Sequence, residues 1–282
     1  MMRALDREIQ DAVWETVKAA IPQRQISHPL GCHRRRIPDE VCFRGIFIRL
    51  ITGEAWTTIE WLMNYEVSDT TLRSRRDEWI NAGVFTAVTG QALMAYDRIV
   101  GFDLSRVALD GSNHKAPCGG EGTGVNPFDR GKLGFKWSVA VDANGIPLAW
   151  VLDSANRNDY ALLDPTLDLL DDADISPHVG RLCLDRGYGY SSVHDKAAAH
   201  NITNGDVIMR RQPNQGAIPI VGLGDRWIVE AANGWLSNYG QLRRNTDRRT
   251  RHREAAFDLA VTIHITNRLI QWRDTWHRLP IR

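Results

Sequence analysis

The chain has 282 residues, enough for one large domain or two ordinary ones, with 43% apolar and 24% charged residues as in globular proteins. No apolar run approaches the roughly 20 residues of a membrane helix. The first thirty residues carry charges in place of an apolar signal core. Composition thus argues against a membrane or secreted protein, and we expect a cytoplasmic one.

The cysteines do not predict a zinc site or a disulfide framework. Cys32, Cys42, Cys118 and Cys183 show no CxxC spacing and have no ordered histidine partners. For Cys183, which lies within an apolar run, a buried reduced thiol is the simplest interpretation.

Charge is distributed unevenly along the chain. The net charge is +1 overall, zero over residues 1–100, −5 over 101–225 and +6 over 226–282. An acidic middle beside a basic end suits a carboxylate site that acts on a phosphate polymer. An ordinary arginine-rich surface helix would explain the basic end equally well.

Residues 1–97 have a helical pattern. A helix over 39–50 is predicted to end at Gly53, the residue best suited to a left-handed stop. A short helix through Trp61 is followed by a second one that Ser68 or Asp69 can cap and that runs to Gly83. Two short helices joined by a tight turn predict a helix-turn-helix-like pair.

The second helix of this pair carries Arg73, Arg75 and Arg76. In a helix-turn-helix, residues near the start of the second helix face the bases, so these arginines are candidate DNA contacts. A solvated helix face or a dimer contact remains an open alternative. The triplet Arg34-Arg35-Arg36 is a weaker indication of the same kind.

The pattern changes near residue 101. Strand-like runs occupy 106–110, 136–141, 147–152, 181–185 and 206–210, and Asn144-Gly145 predicts a hairpin turn between the second and third. Helices are predicted from Asn158 or Asp159, from Ser191 or Ser192 to Ala199, and over 227–242. This order predicts an α/β fold, a ribonuclease-H-like mixed five-stranded sheet with flanking helices. We therefore divide the chain into a helical DNA-binding domain, 1–100, and a catalytic domain, 101–282.

Three acidic residues stand out by position. Asp110 and Asp185 end the first and fourth strand-like runs, and Glu230 lies in the first turn of the last of these helices. Sites gather at the carboxyl ends of strands in an open sheet, and carboxylates bind the divalent cations used in phosphoryl transfer. Singly, each has a structural explanation: a turn or cap for the aspartates, an ion pair with Arg226 for Glu230. Asp159, at a helix start, is a reserve candidate.

Two other motifs do not support chemistry. The glycine-rich loop 119–124 is not a phosphate-binding P-loop, because Gly131-Lys132 would need a glycine where Asn126 stands. Ser112 has no evident histidine base in its sequence context, which disfavours a serine nucleophile.

The blocks of sequence around these carboxylates resemble those of DDE insertion-sequence transposases, in the branch named for insertion sequence five. The resemblance runs in order over roughly residues 28–270. Its blocks are Asp110-Gly-Ser-Asn-His-Lys-Ala-Pro117, Gly119-Gly-Glu-Gly-Thr-Gly124, Ala155-Asn-Arg-Asn-Asp159, Leu184-Asp-Arg-Gly-Tyr188 and Arg226-Trp-Ile-Val-Glu230.

The resemblance implies a transposase that cleaves DNA at the inverted repeats of a mobile element and joins the ends to target DNA. Asp110, Asp185 and Glu230 would be the catalytic carboxylates and would hold two Mg²⁺ ions, or Mn²⁺ in their place. We expect a homo-oligomer on DNA in the bacterial cytoplasm, associated with the nucleoid. Phosphate contacts are predicted for Lys115, Arg226, Arg243 and Arg244.

Two positions depart from the family pattern: Ala231 replaces an arginine and Leu223 a tyrosine. Neither change removes a metal ligand. The alternatives are a catalytically inactive DNA-binding protein derived from a transposase and a metal nuclease without end specificity.

Overall fold

The computed structural model describes residues 6–23, 36–184, 188, 190, 192–202, 208–209 and 227–277. Those within 1–100, 238–245 and 251–282 form one compact unit, and those within 101–237 and 246–250 form the second. This division differs from the sequence-based one, which assigned everything after residue 100 to one domain. The difference arises because the last long helix packs among the N-terminal helices.

The first unit is helical. Its helices are α1 (Arg7–Ala20), α2 (Asp39–Thr52), α3 (Trp56–Leu62), α4 (Asp69–Asn81), α5 (Val84–Ile99), α9 (Gly240–Arg243) and α10 (Thr250–His277). Two predicted signals are confirmed. Ser68 caps α4 by accepting the Thr71 N–H at 3.2 Å, and Gly53 ends α2 at a φ of 73°.

Long-range contacts attach the C-terminal helices to this unit. The Thr89 hydroxyl on α5 donates to the Asp258 carbonyl on α10 at 3.0 Å, and Thr86 reaches the Asp258 carboxylate at the same distance. A Cβ on Gly240 would lie 2.2 Å from the Thr52 carbonyl oxygen. The predicted continuous helix over 227–242 was therefore wrong beyond Ser237, since the chain breaks there and restarts as α9 against the end of α2.

The second unit is built on a mixed sheet. Its strands are β1 (Val107–Lys115), β2 (Gly124–Val125), β3 (Leu133–Val141), β4 (Pro147–Ser154), β5 (Leu182–Leu184) and β6 (Ile208–Met209). The order is β4-β3-β1-β5-β6, with β2 on the beginning of β3. The first three long strands are antiparallel, whereas β5 is parallel to β1 and β6 to β5. This arrangement confirms the ribonuclease-H-like fold class, and within the described residues the two-residue β2 is a sixth strand.

Helices flank the sheet: α6 (Asp159–Asp172), a short 3-10 helix (Ser176–His178), α7 (Val193–Ala199) and α8 (Trp227–Ser237). Leu163 and Leu167 of α6 pack with Leu109 of β1 and Ala140 of β3 in an apolar cluster. One face of the sheet is therefore an apolar core covered by α6. Across the described part of the chain, every helix is too short or too polar to cross a bilayer.

Candidate active site

Asp110 lies within β1, not at its end as the sequence predicted. The strand continues through Lys115, because its polar second half pairs with β3 from Gly111↔Ser138 to Lys115↔Gly134. Asp110 is half-buried, and its Oδ1 accepts the Gly111 N–H at 2.8 Å. Pairing with β5 involves only Val107 and Ala108 among the described residues, so Asp110 follows the segment that pairs with β5.

The two faces of β1 differ in chemistry, since successive side chains of a strand point to opposite faces. Leu109 belongs to the face that packs under α6. Asp110 therefore belongs to the other face, with Ser112 and His114. Across the ladder, Asp110 faces Val139 and Ser112 faces Trp137.

Helix α8 covers the face that carries Asp110. The Trp137 indole N–H donates to Asn233 Oδ1 at 2.7 Å, and both residues are buried. A Cβ on Gly145 in the β3–β4 turn would lie 3.0 Å from the Trp235 ring, so the far end of α8 is also close to the sheet. Glu230 precedes Asn233 by one helical turn and is exposed. Asp110 and Glu230 are thus on the same side of the sheet.

Asp185 lies outside the described residues, as do Arg226 and Leu223. The described part of β5 ends at Leu184, the residue before Asp185 in the sequence. Cys183 pairs with Ala108 of β1. In the sequence, Asp110 follows Ala108 by two residues and Asp185 follows Cys183 by two residues.

Asp159 lies on the opposite side of the sheet from Asp110. Its Oδ1 accepts from Lys136 Nζ at 2.8 Å, and Lys136 also donates to the Arg157 carbonyl at 3.0 Å. Lys136 is only 3% exposed. A Cβ on Gly111 would lie 2.0 Å from Asp159 Oδ1. Asp159 is therefore the partner of a buried lysine behind β1, which argues against it as a replacement carboxylate.

Ser112 does have a histidine neighbour, which the sequence analysis missed. His114 Nε2 lies 2.8 Å from Ser112 Oγ, two residues along the same strand face. His114 stacks on Trp137 with 3.4 Å between ring centroids, and burial lowers its pKa to about 3. A neutral histidine of such weak basicity is a poor general base, so a serine nucleophile remains disfavoured. The Ser-x-His spacing could have indicated this contact, because residues two apart in a strand lie on the same face.

Residues 101–265 match the family described as the transposase DDE domain. The chain belongs to this family. A Burkholderia cepacia protein named "Putative transposase for insertion sequence element IS402" is 34% identical over 140 residues, or 45% of this chain and 60% of that protein. The chain thus spans less than two thirds of that relative's length. No solved structure matches.

The carboxylates of this DDE domain fit a divalent cation in their chemistry. Asp110 and Glu230 offer hard oxygen donors from one side of the sheet. One group of three metal-ligating side chains with atoms within 4.8 Å occurs elsewhere among the described residues: Asp168, Asp171 and His200. His200 Nδ1 is 2.7 Å from Asp171 Oδ2, a hydrogen bond between α6 and the end of α7. This group includes neither Asp110 nor Glu230.

Among the predicted DNA contacts on α4, only Arg73 has an exposed side chain. Arg73 is 50% exposed and pairs with Asp69. Arg75 is 4% exposed, pairs with Asp39 and donates to the Ile37 carbonyl at 3.2 Å. These contacts give Arg75 a structural role, since a side chain engaged in this way does not face solvent.

The remaining predicted DNA contacts also include both buried and exposed side chains. Arg76 is buried, with its guanidinium 5.1 Å from the centre of the Trp56 ring. Lys115 is 59% exposed and lies 3.8 Å from Asp129. Arg243 and Arg244 are exposed at the end of α9. DNA contact by any of these residues stays a prediction.

Proposed function

We propose that the chain is an insertion-sequence transposase of the branch named for insertion sequence five. It would cleave the phosphodiester at the ends of a mobile element and join the freed 3′-hydroxyl to target DNA. The observation that carries the proposal is the pairing of Ala108 with Cys183. Asp110 and Asp185 each follow that pair by two residues in the sequence, and α8, which carries Glu230, covers the face of the sheet to which Asp110 belongs.

Asp110, Asp185 and Glu230 would hold two divalent cations, Mg²⁺ or Mn²⁺. When bound, such ions neutralise charge on the phosphodiester and promote attack by water. The protein's own contribution is positioning. The ladder between β1 and β3 fixes Asp110, and the Trp137–Asn233 hydrogen bond fixes α8 one turn beyond Glu230. In the first step water attacks phosphorus and the 3′-oxygen of the element end leaves as a hydroxyl. In the second that hydroxyl attacks a target phosphodiester and displaces the target strand's own 3′-oxygen.

The test uses labelled duplexes that carry the ends of the protein's own element, with Mg²⁺. We expect wild-type protein to cut at the element ends, and Asp110→Asn, Asp185→Asn and Glu230→Gln to bind the duplex without cutting it. Asp172→Asn is the matched control, because Asp172 is an exposed carboxylate at the end of α6 in the same unit. Its cleavage should equal that of wild type.

Other outcomes separate the alternatives. Binding without cleavage by wild type would favour an inactive DNA-binding protein derived from a transposase. Cleavage of any DNA regardless of sequence would favour a plain nuclease. A wild-type rate in one of the three carboxylate variants would remove that residue from the site.

A further inference from the structure

The segment that joins β1 to β3 presents an unusual surface to solvent. Phe128 is 83% exposed, the highest value among the large apolar side chains of the described residues. Several basic residues accompany it. We call this set the basic loop surface, and its members are Lys115, Phe128, Arg130, Lys132, Arg248 and Arg249.

The turn that carries Phe128 is held rigidly. Asn126 is 4% exposed, and its Oδ1 accepts the Phe128 N–H at 2.9 Å. Its carbonyl accepts from the Asp129 and Gly131 N–H groups at 3.3 Å each, and its own N–H donates to the Lys132 carbonyl at 2.8 Å. The aromatic ring is thus directed outward from an ordered backbone, although its burial would be favourable.

Basic residues accompany Phe128 on its turn and at the end of β1. Arg130 and Lys132 are exposed on the same turn, and Lys115 at the end of β1 is 59% exposed. Asp129, the residue after Phe128, forms an ion pair with Lys115 at 3.8 Å. Exposed cations on a fixed backbone are suited to a phosphate backbone.

The glycine-rich loop brings two more arginines to this segment. A Cβ on Gly120 would lie 2.1 Å from the Arg248 carbonyl oxygen, so only glycine allows this approach. Glu121 donates its N–H to that oxygen at 2.8 Å and accepts the Thr250 N–H at 3.2 Å. Arg248 and Arg249 are exposed beside the loop, and the Glu121 carboxylate is used to hold the segment.

We propose that the basic loop surface binds DNA next to the cleavage site, with Phe128 stacked on an unpaired base and the cations on flanking phosphates. This inference rests on the proposed function. An aromatic ring with cations around it binds single-stranded nucleic acid because every base offers a π-face and every nucleotide a phosphate. Both faces of a base are covered inside a duplex, so the ring selects unpaired bases. Lys115 is five residues along β1 from Asp110, about 17 Å in a strand. The odd separation puts the two side chains on opposite faces, so DNA would reach both by passing the end of β1.

The experiment measures DNA binding by the full chain without divalent cations, using fluorescence anisotropy. The probes are a labelled single strand of twenty thymidines and a labelled duplex of equal length. Phe128→Ala should weaken single-strand binding by about 5- to 100-fold and leave duplex binding nearly unchanged, and Phe128→Trp should restore it. Lys132→Ala should reduce the slope of log affinity against log salt by about 0.7 on the single strand. Leu169→Ala is the control, an exposed apolar residue of α6 in the same unit.

Three results would overturn the inference. These are wild-type single-strand affinity in Phe128→Ala, full restoration by Phe128→Leu, or a dimer in sedimentation that Phe128→Ala dissolves, which would assign the ring to a second copy of the chain. If Phe128 governs binding but element ends are not cut, the proposed function fails and this inference stands. If element ends are cut and Phe128→Ala binds the single strand normally, the proposed function stands and this inference fails.

Discussion

Gly111→Ala tests how the strand that carries Asp110 is supported from behind. The added Cβ would lie 2.0 Å from Asp159 Oδ1 and 3.0 Å from its Cγ. The carboxylate cannot simply turn away, because its Oδ1 is the acceptor for the buried Lys136. Either α6 moves away from β1, or the ion pair between Lys136 and Asp159 breaks.

The expected loss in the free energy of unfolding depends on which of these two changes occurs. Overpacking by one methyl group costs about 1–3 kcal/mol, and breaking a buried ion pair costs about 3–5 kcal/mol. Alanine gains back roughly 0.4–1 kcal/mol by restricting the unfolded chain. We therefore expect Gly111→Ala to lower the free energy of unfolding by roughly 0–3 kcal/mol if the elements shift and by roughly 2–5 kcal/mol if the ion pair breaks. Element-end cleavage should also fall, since a displacement near 1 Å at a catalytic group can cost about 100-fold.

Gly234→Ala is the matched control. Gly234 lies in α8, and nothing is within 4 Å of a Cβ added there. Because alanine is the better helix former, this variant should be up to about 1 kcal/mol more stable than wild type. Urea unfolding followed by circular dichroism measures both variants. Equal effects of the two substitutions would refute the argument.

A double-mutant cycle identifies the contact that causes the effect. Asp159→Ala removes the carboxylate that the new methyl group would meet, at the cost of the Lys136 ion pair. Once Asp159 is absent, Gly111→Ala should cost little, so the two substitutions should be less than additive by roughly 0.5–3 kcal/mol. Strict additivity would show that the strain arises elsewhere.

Three further predictions follow from buried polar groups. In the folded protein His114 has a pKa of about 3, against 6.5 for an ordinary histidine. As pH falls below 6.5 the unfolded chain therefore binds a proton that the folded chain does not. The free energy of unfolding should accordingly fall by about 2 kcal/mol at pH 5. His114→Phe should remove that part of the pH dependence in urea titrations, and an unchanged profile would refute it. Asn233→Ala should cost about 1–3 kcal/mol because the Trp137 indole N–H loses its acceptor, and it should lower cleavage without abolishing DNA binding; an unaltered melting curve would count against this. Arg75→Ala should cost about 1–3 kcal/mol, because the Ile37 carbonyl loses its donor while Asp39, which is 34% exposed, keeps Arg36; Arg73→Ala should stay within about 0.5 kcal/mol, and the opposite ranking in thermal melts would contradict these placements.

Local signals in the sequence predicted local structure well. Gly53 ends α2 and Ser68 caps α4, because each depends on hydrogen bonds within a few residues. Gly145, with a φ of 79°, forms the predicted turn between β3 and β4. The alternation of strands and helices was also sufficient for the fold class, since few topologies accommodate that order.

Features that depend on distant partners could not be predicted in the same way. The second half of β1 is polar, and its strand conformation depends on pairing with β3 from Gly111↔Ser138 onward. The α10 helix joins the N-terminal unit through Asp258 and its contacts on α5. Arg75 has the same sequence pattern as an exposed arginine. Its burial depends on Asp39, 36 positions earlier in the chain.

The alternation of β1 explains why neighbouring acidic candidates have different roles. Leu109 and Gly111 point to the α6 side, where Lys136 is buried and requires a carboxylate, and Asp159 supplies it. Asp110 points to the α8 side, where the Trp137–Asn233 hydrogen bond holds the helix that carries Glu230. A shift of one residue in the β1–β3 register would exchange these faces. The candidate site therefore depends on the same ladder that keeps the apolar core closed, which is why a single methyl group on Gly111 should affect both stability and cleavage.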